Sequence, residues 1–168
     1  MSLEYLTWPY MEGFFGDEAD RFRRNHIDAA MRFLPYACAV DEFQHRIYEA
    51  PDAKLSERHG MWQEMEQKYL PHLDYGGMVH VSKGGFWQVQ RHIYLWPFYY
   101  LDYALASTAA LEFWIRSRAD VERALADYVA LCKLGGSQPY LSLLDSIGLA
   151  SPFEEGTVMS VVNEVRTW

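Results

Sequence analysis

The sequence predicts an all-α fold, an irregular bundle of about seven helices, and three observations carry that prediction. Apolar residues recur at three- and four-residue spacing along most of the chain. Nowhere does an apolar–polar alternation run for the length of a strand. Proline, glycine and capping residues punctuate the chain at helix-sized intervals. With 168 residues, 50% of them hydrophobic and 23% charged, a single helical domain over residues 1–168 can bury a core of its own.

Ser2 caps a first segment, 3–15, which Pro9 kinks or divides. Gly16-Asp17 stops it and caps the next, 18–49, where Phe22, Ile27, Met31, Leu34, Cys38 and Phe43 follow helical spacing. Pro35 lies inside that stretch, so the expectation is a kinked helix or two stacked ones. Ala50-Pro51-Asp52 ends it. A helix over 56–69 carries Trp62, Met65 and Tyr69 on nearby turns and stops at Pro71. Residues 71–85, with Gly76-Gly77 and Gly84-Gly85, are the least regular. A short helix over 86–94 follows, and Pro97 occupies the first turn of a long one reaching Arg118. Asp120 caps 121–134, which Gly135-Gly136 closes. Ser137 caps a shorter helix ending at Gly148, and Pro152 starts the last.

The charge balance, 15 Lys and Arg against 23 Asp and Glu, leaves −8. That sign excludes a domain binding nucleic acid or an anionic membrane, whose affinity comes from neutralising phosphates. No apolar run approaches the roughly 20 residues of a bilayer span, and no basic-then-apolar leader opens the chain. Cys38 and Cys132 are too few for a disulfide framework or a cysteine-rich zinc site, and a reduced, cytoplasmic location is expected. Aromatic residues make up 16% of the chain, with 12 Tyr, 9 Phe and 6 Trp. So much ring area suits a large binding surface or a face that expects a partner.

Four constellations bear on chemistry. Asp41-Glu42-Phe43-Gln44-His45 is one residue short of His-Glu-x-x-His, in which two His a helical turn apart bind zinc and the Glu acts as base. Asp41 stands where the first His belongs, and a helix with buried Phe43 and a polar flank is the favoured reading. His92 precedes a dense run of rings, Tyr94, Trp96, Phe98, Tyr99, Tyr100 and Tyr103. Tyr99 and Tyr103 are four residues apart and Tyr100 and Tyr103 three, so hydroxyls can converge on one cleft and donate to a carbonyl becoming an oxyanion. Packing of the same rings into a core is the alternative. Gly84-Gly85 lacks the spacing of a phosphate loop and reads as a connection, or as a place where a substrate backbone approaches closely. Arg21, Arg23 and Arg24 read as a solvated helix face.

The segments Met1-Ser2-Leu3-Glu4-Tyr5-Leu6-Thr7-Trp8-Pro9, Leu34-Pro35-Tyr36 through Val40-Asp41-Glu42-Phe43-Gln44-His45, Gly85-Phe86-Trp87-Gln88, Pro97-Phe98-Tyr99-Tyr100-Leu101-Asp102-Tyr103-Ala104-Leu105-Ala106 and Leu134-Gly135-Gly136-Ser137 occur in one family in this order. On these the chain resembles the C-terminal part of oligoendopeptidase F, within the thimet-oligopeptidase-like family of zinc metallopeptidases. The resemblance runs over essentially the whole chain. It implies the C-terminal portion of a zincin-type helical peptidase that clamps short peptides in a deep channel. It also implies that His92, Tyr100 and Tyr103 meet the substrate carbonyl and the tetrahedral intermediate, with Tyr99, Gly84 and Gly85 nearby.

The zinc of that family is held by a His-Glu-x-x-His helix and a Glu on the following helix, and the 168 residues contain no His-Glu-x-x-His. By the family pattern these ligands lie upstream of Met1. The expectation is therefore a substrate-binding wall that holds no metal or other cofactor by itself and does not cleave peptides alone. Short peptides are its expected partners, together with the missing N-terminal part of the peptidase or a second copy meeting its exposed aromatic surface. The alternative is a stand-alone helical module that binds peptides or proteins without catalysis.

Overall fold

Nine α-helices and no strand make up the computed structural model, which describes residues 1–168. The count exceeds seven because short helices form where proline and glycine subdivide the chain. The expected segment 3–15 resolves into α1 (Ser2–Leu6), a 3-10 turn at Trp8–Tyr10 and α2 (Glu12–Phe15). Pro9 sits in the first turn of the middle piece, where its missing N–H has no intrahelical partner to lose.

Helix α3 (Ala19–Glu49) is one element of 31 residues with Pro35 inside it, not two stacked helices. Proline in a helix interior costs about 3 kcal/mol, through one lost hydrogen bond and a clash with the carbonyl four residues earlier. Ile27, Leu34, Val40 and Phe43 are buried along α3. Each contributes about 1.5–3 kcal/mol on burial, which outweighs the proline. The chain continues through α4 (Leu55–Tyr69), α5 (His92–Leu95), α6 (Tyr100–Ala119), α7 (Val121–Leu134), α8 (Tyr140–Ser146) and α9 (Thr157–Arg166). No helix is long and apolar enough to cross a membrane.

The chain packs as two compact units, Met1–Met31 with Leu105–Trp168 as one and Arg32–Ala104 as the other. In the first, Phe113, Leu144 and Leu149 are buried together, with Tyr128 edge-on to Phe113 at 5.7 Å. Asp120 caps α7 as its sequence signal predicts, its Oδ1 accepting the Arg123 N–H at 3.0 Å, and Gly135 ends the helix with φ 52°. Helix α8 starts at Tyr140, after Pro139, and not from Ser137. Its exit is fixed by Arg116, which donates to the carbonyls of Ile147 (2.7 Å) and Gly148 (2.6 Å) and pairs with Asp127 (2.5 Å). Helix α9 begins after Gly156, whose φ of 90° a residue other than glycine rarely adopts, and not at Pro152. Arg23 is no solvated charge. It donates through Nε (3.1 Å) and Nη2 (2.7 Å) to the Trp8 carbonyl, and its fork also meets Glu12 and Asp20.

In the second unit Ala39, Val40 and Phe43 of α3 pack on Trp62 and Met65 of α4, with Trp87 and Ile93 completing the core. Phe43 meets Trp62 edge-on at 5.2 Å and Trp87 at the same distance. Helix α4 opens at Leu55. Glu57 reaches back to accept the Lys54 N–H at 2.6 Å, satisfying a donor that the helix leaves unpaired. The expected helix over 86–94 is instead a 3-10 turn at Phe86–Val89 and α5, separated by extended backbone at Gln90. Pro97 does not begin α6. Phe98, the one residue other than glycine with positive φ (63°), turns the chain first, and α6 starts at Tyr100.

Candidate functional site

Helix α5 is anchored by buried Ile93 at 5% exposure, which leaves its neighbour His92 half-buried at the edge of the core. The following turn swings the chain so that the first turn of α6 faces that imidazole. Gln44 on α3 holds the turn. Its side chain is fully buried, and its Oε1 accepts the N–H of Phe98 at 3.0 Å. Tyr100 is fixed by Phe33 and Tyr36 of α3, with ring centroids at 5.7 and 5.8 Å. The His92 ring lies 5.1 Å from Tyr100, 6.0 Å from Tyr103 and 6.2 Å from Tyr99, nearly parallel to the last. Tyr103 stands edge-on to both tyrosines, at 5.1 Å from Tyr99 and 5.7 Å from Tyr100. His92, Trp96, Tyr99 and Tyr103 line an open cleft of about 370 Å³.

The phenols keep their protons. Burial pushes the Tyr100 hydroxyl up. For Tyr103 the largest cause of an upward shift is a hydrogen bond with Tyr99, followed by desolvation and the charges of the two neighbouring tyrosines. Tyr36, behind them, is raised by burial first and then by Tyr100 and Glu66. At neutral pH the cleft therefore offers neutral O–H groups, which donate hydrogen bonds. His92 meets Gln90 Nε2 through Nδ1 at 2.7 Å, and Gln90 Oε1 accepts the Tyr36 hydroxyl at 3.0 Å. The cleft thus suits an electron-rich oxygen such as a peptide carbonyl, and its lining contains no paired nucleophile and base.

The structure thus brings His92, Tyr99, Tyr100 and Tyr103 together. It does not bring Gly84 and Gly85 into the lining of that cleft. Both are buried against their own chain: a Cβ on Gly84 would lie 2.2 Å from the His59 carbonyl oxygen, and one on Gly85 2.3 Å from the His80 ring. In the Asp41 segment, His45 Nε2 and Asp41 Oδ2 are 3.6 Å apart. Glu42 is drawn away to Lys68 (2.6 Å) and the Tyr69 hydroxyl (2.5 Å), which hold its carboxyl below the usual range, and Phe43 is buried. No three or more His, Cys, Asp or Glu side chains converge so as to hold a metal ion.

Sequence reasoning did not assign Tyr36, Gln44 or Gln90 to the site. All three lie in or beside the segments that define the resemblance, but their roles depend on pairings 54 residues apart, Tyr36 with Gln90 and Gln44 with Phe98. Trp96 was visible only as part of the aromatic run.

No protein-family model and no curated protein matches the chain. Three solved structures are similar to it. A protein described as an oligoendopeptidase F, in a 3.1 Å X-ray structure, is 51% identical with a TM-score of 0.96, over 99% of this chain and 30% of that one. PZ peptidase A, solved with an inhibitor, is 47% identical with a TM-score of 0.95 and the same coverage. A protein from Bacillus anthracis str. Ames, also described as an oligoendopeptidase F, is 42% identical with a TM-score of 0.82, over 99% of this chain and 26% of its own. The chain thus spans less than a third of these relatives and has the fold of their helical C-terminal part.

Proposed function

Because the chain belongs to the oligoendopeptidase F family, we propose that it forms the substrate-facing wall of an oligopeptide endopeptidase, gripping a short peptide through His92, Tyr99, Tyr100 and Tyr103. The observation that supports this reading is the clustering of these four rings, of which His92, Tyr99 and Tyr103 line one cleft and Tyr100 packs against His92 and Tyr103. A peptide carbonyl oxygen entering the cleft accepts hydrogen bonds from protonated phenols. As the carbonyl becomes tetrahedral its oxygen gains charge, and the same bonds strengthen.

Hydrolysis also needs an activated nucleophile. On this reading the groups that supply it, zinc and its ligands among them, belong to the portion of the relatives that this chain does not span. The chain alone binds peptides without cleaving them. Tyr94, Leu95, Trp96 and Tyr99 are 44–54% exposed on consecutive turns. A ring-rich stretch of this kind supports a partner, and the remainder of a family peptidase is the one proposed. Two free cysteines support a cytoplasmic location.

The test is titration of a fluorescein-labelled hexapeptide pool with the purified chain. Binding is expected. Tyr100→Phe, Tyr103→Phe and His92→Gln should each weaken it about 2- to 13-fold, the equivalent of about 0.5–1.5 kcal/mol per hydrogen bond. Equal affinity in all three variants would overturn the cleft assignment, and zinc-dependent peptide cleavage by the chain alone would overturn the division of labour.

A further inference from the structure

We propose that Gln90, backed by Tyr36, is a positioning residue that fixes His92 as the Nε2–H tautomer, so that the cleft offers a hydrogen-bond donor at that nitrogen. The inference deepens the peptide-carbonyl reading and rests on it only for its purpose. The hydrogen-bond chain itself stands on the geometry.

A neutral imidazole carries one proton, and the bond made by one ring nitrogen decides where the proton resides. Here Nδ1 of His92 lies 2.7 Å from the Gln90 amide, and Nε2 has no partner within the chain. Everything therefore turns on which end of the amide faces the ring. Tyr36 answers that. Its hydroxyl lies 3.0 Å from Gln90 Oε1 in a half-buried position, and burial keeps it protonated. With the carbonyl end toward Tyr36, the phenol proton has its acceptor, the amide N–H points to Nδ1, and Nδ1 must accept. Turned the other way, the amide would present N–H to the phenol oxygen and leave the Tyr36 proton without an acceptor. An unsatisfied buried donor is the costly alternative. Tyr36 thus sets the amide, the amide sets Nδ1 as acceptor, and the imidazole proton is left on Nε2.

The consequence is chemical. Tyr99, Tyr100 and Tyr103 are O–H groups, able either to donate or to accept. Only a histidine locked as Nε2–H is a donor without an acceptor role at that atom. It favours a carbonyl oxygen over an amide N–H and fixes which peptide group the cleft selects.

The test is nitrogen-15 NMR of the purified 168-residue chain labelled at histidine, at a pH well above the ordinary histidine pKa of about 6.5. His92 resonances are identified by their loss in His92→Gln. In the unaltered protein, Nε2 is expected to show the protonated-type shift and Nδ1 the acceptor-type shift. Gln90→Glu replaces the amide donor by an acceptor, and should move the proton to Nδ1. Tyr36→Phe releases the amide and should give a mixture of the two tautomers. A wild-type Nδ1–H tautomer would overturn the proposal, and it needs no variant to fold. An unchanged tautomer in folded Gln90→Glu, or in folded Tyr36→Phe, would overturn it as well. Loss of peptide binding with the wild-type Nε2–H tautomer intact would instead count against the peptide-carbonyl reading alone.

Discussion

Replacing Gly84 with alanine separates packing from substrate access at the glycine pair. Two costs add at this position. Gly84 has φ 84°, and placing an L side chain in left-handed backbone costs about 1–2 kcal/mol. The new Cβ would also lie 2.2 Å from the His59 carbonyl oxygen, 2.8 Å from its carbon and 2.9 Å from Gln63 Cγ. The nearest two atoms are backbone of α4, so relief requires moving a helix and not swinging a side chain. Overpacking of this kind costs about 1–3 kcal/mol more. Alanine gives back about 0.4–1 kcal/mol by narrowing the unfolded ensemble. Gly76 is the control, because its φ is 54° and a Cβ there meets nothing within 4 Å. Gly76→Ala should therefore carry the strain and the unfolded-state gain without the collision. The expected difference is about 1–3 kcal/mol, or about 2–12 °C in Tm for a chain of this size. Urea denaturation followed by far-UV circular dichroism measures both variants. Equal stabilities within about 0.5 kcal/mol would refute the packing argument and return Gly84 to the candidates for a substrate contact.

Two further perturbations probe the scaffold. Gln44→Leu removes the acceptor of the Phe98 N–H in a fully buried setting, with a loss of about 1–3 kcal/mol. Near-UV circular dichroism should also lose tyrosine signal, because the turn it holds positions the start of α6; an unchanged near-UV spectrum would count against that role. Glu112 titrates above its ordinary 4.5, chiefly because burial disfavours its charge, while the Ala150 N–H and Arg116 oppose the shift. The folded state then binds the proton more tightly than the unfolded one, so stability falls as pH rises from about 4.5 through the raised value. Glu112→Gln has no such proton. Its stability relative to the parent should climb over that window and level off above it, and a pH-independent difference in denaturation midpoint would contradict the assignment.

Local signals were legible where one residue settles the matter alone. Asp120 and Gly135 bound α7 because a carboxylate cap and a positive-φ stop act within a single turn. The aromatic run around His92 was legible for the same reason, since helical spacing puts Tyr99, Tyr100 and Tyr103 on adjacent turns. Pro35 leaves a kinked helix and two stacked ones both open, and burial along α3 keeps a single helix. Pro97 reads less well, because the left-handed turn at Phe98, held by a glutamine 54 residues away, comes before α6.

That distance explains what the sequence left hidden. Tyr36 and Gln44 lie eight residues apart on α3, about 12 Å along its axis, and each holds a different part of the cleft. Tyr36 stands behind the Gln90–His92 bond and against the Tyr100 ring, and Gln44 clasps the turn that starts α6. An unbroken α3 fixes the spacing of these two supports, whereas two stacked helices would let them shift independently. The burial that carries α3 through Pro35 therefore does more than stabilise a helix. It holds the tyrosines and the histidine at the separations on which the proposed grip on one carbonyl depends.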